Sequence, residues 1–153
     1  ESELLGEELA AQYALRAIEA MKQLALTRNT IVNLSKAMDA LIAVTQTEQP
    51  QMQELAAQTL ACLESPQAQR AIAQMALSDK NSDEIRIAAF GSLAVSAKQN
   101  ANLLLTEQIE AIYALVSSTQ TQPPLRAAAA GAFGALNLPS EKVKNLIVDQ
   151  AKS

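Results

Sequence analysis

Six small or apolar residues recur at one spacing in three places along this 153-residue chain. The first set is Met52, Leu55, Ala56, Thr59, Leu60 and Leu63. The second is Ile85, Ala88, Ala89, Ser92, Leu93 and Ser96, and the third is Leu125, Ala128, Ala129, Ala132, Phe133 and Leu136. Each follows i, i+3, i+4, i+7, i+8, i+11, which is one face of an α-helix. Met52 to Ile85 spans 33 positions and Ile85 to Leu125 spans 40. Repeats of that length built from two helices are the sequence signature of a solenoid. One such pair cannot bury its apolar face alone, so neighbours must stack.

Punctuation divides the chain into eight helical segments. The first runs from Ser2 to Leu26, and the second from Thr30, a suitable N-cap, to Thr45. Pro50 and Pro66 sit where a first-turn proline costs no hydrogen bond, opening segments over 50–63 and 66–78. Ser82 caps a fifth segment reaching Ala97, and Thr106 caps a sixth reaching Ser118. Pro123 and Pro124 open a seventh that ends at Leu136, and Ser140 caps an eighth that fades near Ala151. The even segments carry partner stripes: Ile31, Leu34, Met38, Leu41 and Ile42; Ala68, Ala71, Ile72 and Met75; Ile109, Ile112 and Val116; Val143, Leu146 and Ile147. In the first helix two registers compete. Glu8 to Gln12 resembles Glu54 to Gln58 at an offset of 46, whereas the stripe Ala11, Ala14, Leu15, Ile18, Met21 and Ala25 aligns at 45. The stripe is preferred, because an Ala-rich pentapeptide match arises easily by chance.

Composition agrees with helices and excludes several chemistries. Apolar residues make up 49% of the chain and aromatics only 3%. Much of the apolar share is Ala, which loses no side-chain entropy in a helix. The scarcity of Gly (4) and Pro (5) argues against a sheet-rich chain. The net charge is −4 and the cations are scattered, which disfavours nucleic acid as a partner. No stretch approaches the roughly 20 uncharged apolar residues of a membrane span. The absence of His removes imidazole ligands and His-activated nucleophiles, and one cysteine permits no intrachain disulfide. No cofactor, metal or catalytic residues are expected. The start at Glu1 without Met suggests a piece of a longer chain, with 1–153 forming one domain. Solubility is expected, with the cytoplasm slightly favoured.

The stretch from Ala71 to Ser96 resembles a HEAT repeat. An apolar helix leads to Asp79, a short turn and Asp83, and then the pair Ile85-Arg86 opens an Ala-rich helix with Ala89 and Leu93. Leu125-Arg126, with Ala129-Ala130, Phe133-Gly134 and Leu136, matches the second half again. Met52-Gln53 is a degraded copy with Gln for Arg, and Gln46 and Thr119 stand at the Asp79 position. The resemblance implies an all-α fold, an α–α superhelix of about four antiparallel helix pairs, right-handed, with the odd helices from the third onward lining the concave face. It also implies another protein or peptide as partner, without specifying which. Two alternatives remain open: a bilin-attaching enzyme like the HEAT-related phycobiliprotein lyases, and a structural or oligomerisation spacer.

The residues that would contact a partner lie off the stripe on odd helices: Gln53, Glu54, Gln58, Arg86 and Arg126, with Ala127 beside them. Arg86 and Arg126 share one repeat position. They read either as a row of cations for an anionic group or, preferentially, as braces between turns that pair with Asp79 or Asp83. Cys62 reads as a small buried hydrophobe. Asp79, Asp83 and Glu84 lack the glycine and closing Glu of a calcium loop and read as a solvated turn. Gly131 and Gly134 suggest close helix approach or, alternatively, a shallow groove. The near-continuous apolar surface of the fifth segment, with Ile87, Phe90, Gly91, Ala94 and Val95 off the stripe, suggests preferentially a central helix or, alternatively, an exposed apolar patch that binds something.

Overall fold

The computed structural model describes residues 2–27, 34–141, 143, 144 and 148. The described part is all-helical. Its elements are α1 (Ser2–Leu26), a 3-10 turn (Leu34–Ala37) leading into α2 (Met38–Val44), α3 (Pro50–Leu60), α4 (Pro66–Leu77), α5 (Asp83–Asn100), α6 (Thr106–Ser117) and α7 (Pro123–Ala135). Thr30 and Ile31 lie outside the described residues, as does most of the expected eighth helix. Within that last stretch Ser140, Glu141, Val143, Lys144 and Val148 are helical.

Most starts follow the expected local chemistry. Pro50, Pro66 and Pro123 each occupy the first helical turn. The Ser65 hydroxyl accepts the Ala68 N–H at 3.3 Å, and the Ser82 hydroxyl accepts that of Ile85 at 3.5 Å. Glu84 has its carboxylate pKa lowered by its own backbone N–H and then by the Ser82 hydroxyl. A lowered pKa means that its stabilising contribution is present at neutral pH and fades as the pH falls through that value. Thr106 is not the cap of α6. Leu105 holds that position, and the Gln108 side-chain oxygen accepts the Leu105 N–H at 3.3 Å. After α7, Asn137 turns the chain with φ at 48°, a conformation that Asn tolerates better than most residues.

The packing follows parity. α2 packs on α3, α4 on α5 and α6 on α7. α1 packs on α3, α3 on α5 and α5 on α7, while α2 meets α4 and α4 meets α6. Every position of the three repeated stripes is buried or half-buried, and so is the preferred stripe of α1. The competing register of α1 would place Leu9 and Ala10 inward, and both are exposed. Ala56, Ala57, Ala73, Ala76, Ala89, Ala129 and Ala132 are fully buried, so backbones approach closely, and Leu60, Ile72, Phe90 and Leu93 fill the remaining space. Tyr113 and Phe133 join α6 to α7 with ring centroids 5.5 Å apart. α5 has 18 residues and α3 has 11, and that difference of seven is the difference between the 40- and 33-residue spacings.

The link from α5 to α6 is held by side chains from α4. Gln69 is fully buried. Its amide nitrogen donates to the Ser96 hydroxyl at 3.1 Å and to the Ala101 carbonyl at 3.0 Å, and its oxygen accepts the Leu103 N–H at 2.7 Å. Arg70 Nε donates to the Leu103 carbonyl at 3.1 Å, and Gln108 Nε2 donates to the Arg70 carbonyl at 3.0 Å. Ala101 sits at φ 60° and ψ −169°, a region that essentially only Gly enters without strain. The clamp therefore holds a strained residue in place. Ala101→Gly is expected to raise stability by about 1 kcal/mol. Gln69→Leu should lower it by about 2–4 kcal/mol, because the buried Ser96 hydroxyl and the Ala101 and Leu103 backbone groups lose their bonds together. Urea unfolding of both variants measures this.

Candidate functional site

The expected partner-facing residues separate into two groups. Gln53, Arg86 and Arg126 occupy one repeat position; Gln53 and Arg126 fold back on the turn before their own helix, and Arg86 on the last turn of α4. Gln53 Nε2 donates to the Thr45 carbonyl at 3.1 Å and to Asn81 Oδ1 at 3.2 Å, and Asn81 Nδ2 donates to the Met75 carbonyl at 2.9 Å. Arg86 Nε donates to the Ala76 carbonyl at 3.1 Å, and Arg126 Nη1 to the Ser118 carbonyl at 3.3 Å. Arg86 also lies 3.5 Å from Asp83, the pairing that the bracing reading anticipated. That ion pair is half-exposed and is worth little by itself. Gln53 is only 3% exposed and so does not present its side chain to solvent.

Glu54 and Gln58 point elsewhere. Together with Ala61 and Cys62 they form the α3 part of an open groove of about 330 Å³. Lys22 and Leu26 of α1 line one side, and Ala88, Gly91, Ser92 and Val95 of α5 line the other. Leu26 is 55% exposed and Val95 44%, so two large aliphatic side chains meet water at this groove. Helical phase explains the arrangement. Gly91 and Val95 are four apart on the face of α5 that the stripe leaves outward. A Cβ built on Gly91 would meet nothing within 4 Å. The same holds for Gly131, its counterpart 40 positions on, and for Gly134. Close helix approach therefore does not account for these glycines, and the expectation that it would is corrected. The fifth helix is central as expected, with Phe90 fully buried, but its Gly91–Val95 edge is open.

The polar groups of the groove are few. Gln58 Nε2 donates to Glu54 Oε1 at 3.0 Å. A carboxylate only accepts, so this bond orients the amide with its oxygen facing the other way. That oxygen is enclosed and lacks a hydrogen-bond donor. The Cys62 thiol donates to the Gln58 carbonyl at 3.6 Å. Among the described residues, no group of three or more His, Cys, Asp or Glu is placed to hold a metal ion. No described helix is long and apolar enough to cross a membrane. The groove thus offers shape and desolvation, with Lys22, Glu54 and Ser92 as polar contacts at its lining. Gly91 and Val95 were visible in the sequence as off-stripe positions. Lys22 and Leu26 were not, because nothing in the sequence of α1 shows which of its edges faces the groove.

The two glutamines of α3 should respond oppositely to loss of the amide. Gln58→Met is expected to be neutral or stabilising by up to about 1 kcal/mol, since it removes an orphaned acceptor. Gln53→Met should cost about 2 kcal/mol, since it strands the Thr45 carbonyl and Asn81 Oδ1. Thermal or urea unfolding compares them directly.

No family model matches this chain, and comparison with characterised proteins and with solved structures finds no relative.

Proposed function

We propose that this chain is an α–α superhelix of stacked helix pairs, of the HEAT type, that serves as a non-catalytic docking module for another protein. The groove between α1, α3 and α5 is its binding surface. The parity of the packing supports the superhelix, since each odd helix adjoins the next odd one and each even helix the next even one. Gly91 is the observation that carries the docking reading. A glycine inside a helix costs about 1 kcal/mol relative to Ala. At Gly91 no neighbouring side chain forbids a methyl group. Among the described residues no close contact at Gly91 offsets that cost, and the glycine keeps open a groove edged by exposed Leu26 and Val95. Locally unfavourable choices of this kind concentrate at functional surfaces. An apolar segment of a partner, seated between Leu26 and Val95, would bury both side chains and take its affinity from that burial.

The same open space makes the test clean. Gly91→Leu is expected to keep or raise helix stability, because its side chain projects into the groove and not into the core. Affinity capture from the native cells, followed by mass spectrometry, then compares wild type with Gly91→Leu. The reading predicts proteins retained by wild type and depleted at least about tenfold by the filled groove. Identical recoveries from the two folded proteins would refute it. Gly131→Ala on α7 serves as a stability control and should gain about 0.5–1 kcal/mol.

A further inference from the structure

The groove between α1, α3 and α5 contains an acceptor that its own chain leaves without a donor. Gln58 Oε1 is enclosed and accepts no hydrogen bond. The nearby donors are engaged elsewhere. The amide nitrogen of Gln58 is bonded to Glu54 Oε1 at 3.0 Å, and the Cys62 thiol is turned to the Gln58 main-chain carbonyl at 3.6 Å. Lys22 and Ser92 also line the groove, and neither bonds the oxygen. The side chains of Leu26, Ala61, Ala88 and Val95 have no donor to offer. An enclosed acceptor in this state disfavours the fold. It lies on the same groove as Gly91, the other residue there that costs the helix something without a packing reason.

The inference rests on the groove being the docking surface and deepens that reading. We propose that the occupant is an apolar segment of a partner protein in extended conformation, and that one of its main-chain N–H groups donates to Gln58 Oε1. A helical occupant bonds its N–H groups internally beyond its first turn, so its side offers Gln58 no main-chain donor. An extended segment carries N–H groups free to point outward between its side chains, and supplies donor and apolar contact together. Gly91 fits the same occupant. A Cβ there would meet nothing within 4 Å, and its absence lets a foreign backbone come close to α5. The amide of Gln58 is free to respond. The terminal torsion of a glutamine is broad, and the bond that holds this one is an i, i+4 contact with the exposed Glu54. Gln58 is therefore the residue that selects an extended main chain over a purely aliphatic helix face.

The probe is the capped tripeptide acetyl-Leu-Val-Leu-methylamide, compared with its depsipeptide analogue. Esters replace the amides in the analogue, so the shape is kept and the N–H donors are lost. Nuclear magnetic resonance of the isotope-labelled chain follows the Gln58 side-chain amide and the main-chain amides of Gly91 and Val95. Wild type is expected to bind the amide peptide saturably below about 5 mM, and the ester roughly three- to tenfold more weakly. Gln58→Met keeps the fold, and it should bind the two probes equally. Gly91→Leu should bind neither. Equal binding of the two probes by wild type, or an ester penalty that persists in Gln58→Met, overturns the proposal and leaves the groove standing as a docking surface. Failure of both probes to bind wild type, or undiminished binding by Gly91→Leu, overturns the proposal and that surface together.

Discussion

The enclosure of α5 by α3, α4 and α7 is the constraint on which the other helices depend. Among the described residues α5 shares the two most extensive helix-to-helix contacts, with α7 and with α4. Phe90 is completely enclosed there, and burying a phenylalanine side chain contributes about 1.5–3 kcal/mol. The alanines around it set how near the helices come. A larger residue at Ala76 or Ala89 would have no room, since both are fully buried. α3 and α7 then gain a packed flank each, and α4 gains the floor on which α2 and α6 adjoin it. Side-chain amides finish the assembly by joining non-adjacent segments. Gln69 ties the α5–α6 link to α4, and Gln53 ties the turn before α3 to the turn before α5.

Much of the fold was readable because helical periodicity is a local signal. Ser82 and the three first-turn prolines marked starts, and the repeated stripes marked the inward faces. Two features were not readable for a physical reason. Thr106 looks like a cap by type, but the cap of α6 is set by Gln108 reaching back to Leu105, and Gln108 is itself held by the Arg70 carbonyl of another helix. The strained Ala101 depends likewise on Gln69, 32 positions earlier. Tertiary bonds of that separation leave no trace in local pattern. The candidate site divides the same way. Arg86 and Arg126 announced a shared role through register, and bracing was preferred for them. The register could not show that Gln53 serves as a brace too while Glu54, its neighbour, lines a groove.

The proposed function rests on what the packing leaves uncovered. A stack of helix pairs buries the inward stripes and has no internal use for the outward positions. Here those positions are neither uniformly charged nor uniformly polar. On α5 the outward edge holds a glycine and a valine, and on α1 a leucine and a tyrosine. A surface selected only for solubility would carry charge at such places. The groove beside Gly91 and Val95 is the surface on which the proposed docking role rests.

Native-state hydrogen exchange tests the central claim, that the α4–α5 pair is the enclosed middle of a stack of pairs. The account predicts the highest opening free energies for amides of α4 and α5, with α1 and α7 opening at lower energies. Protection in α1 equal to or greater than that in α4 and α5 would contradict it.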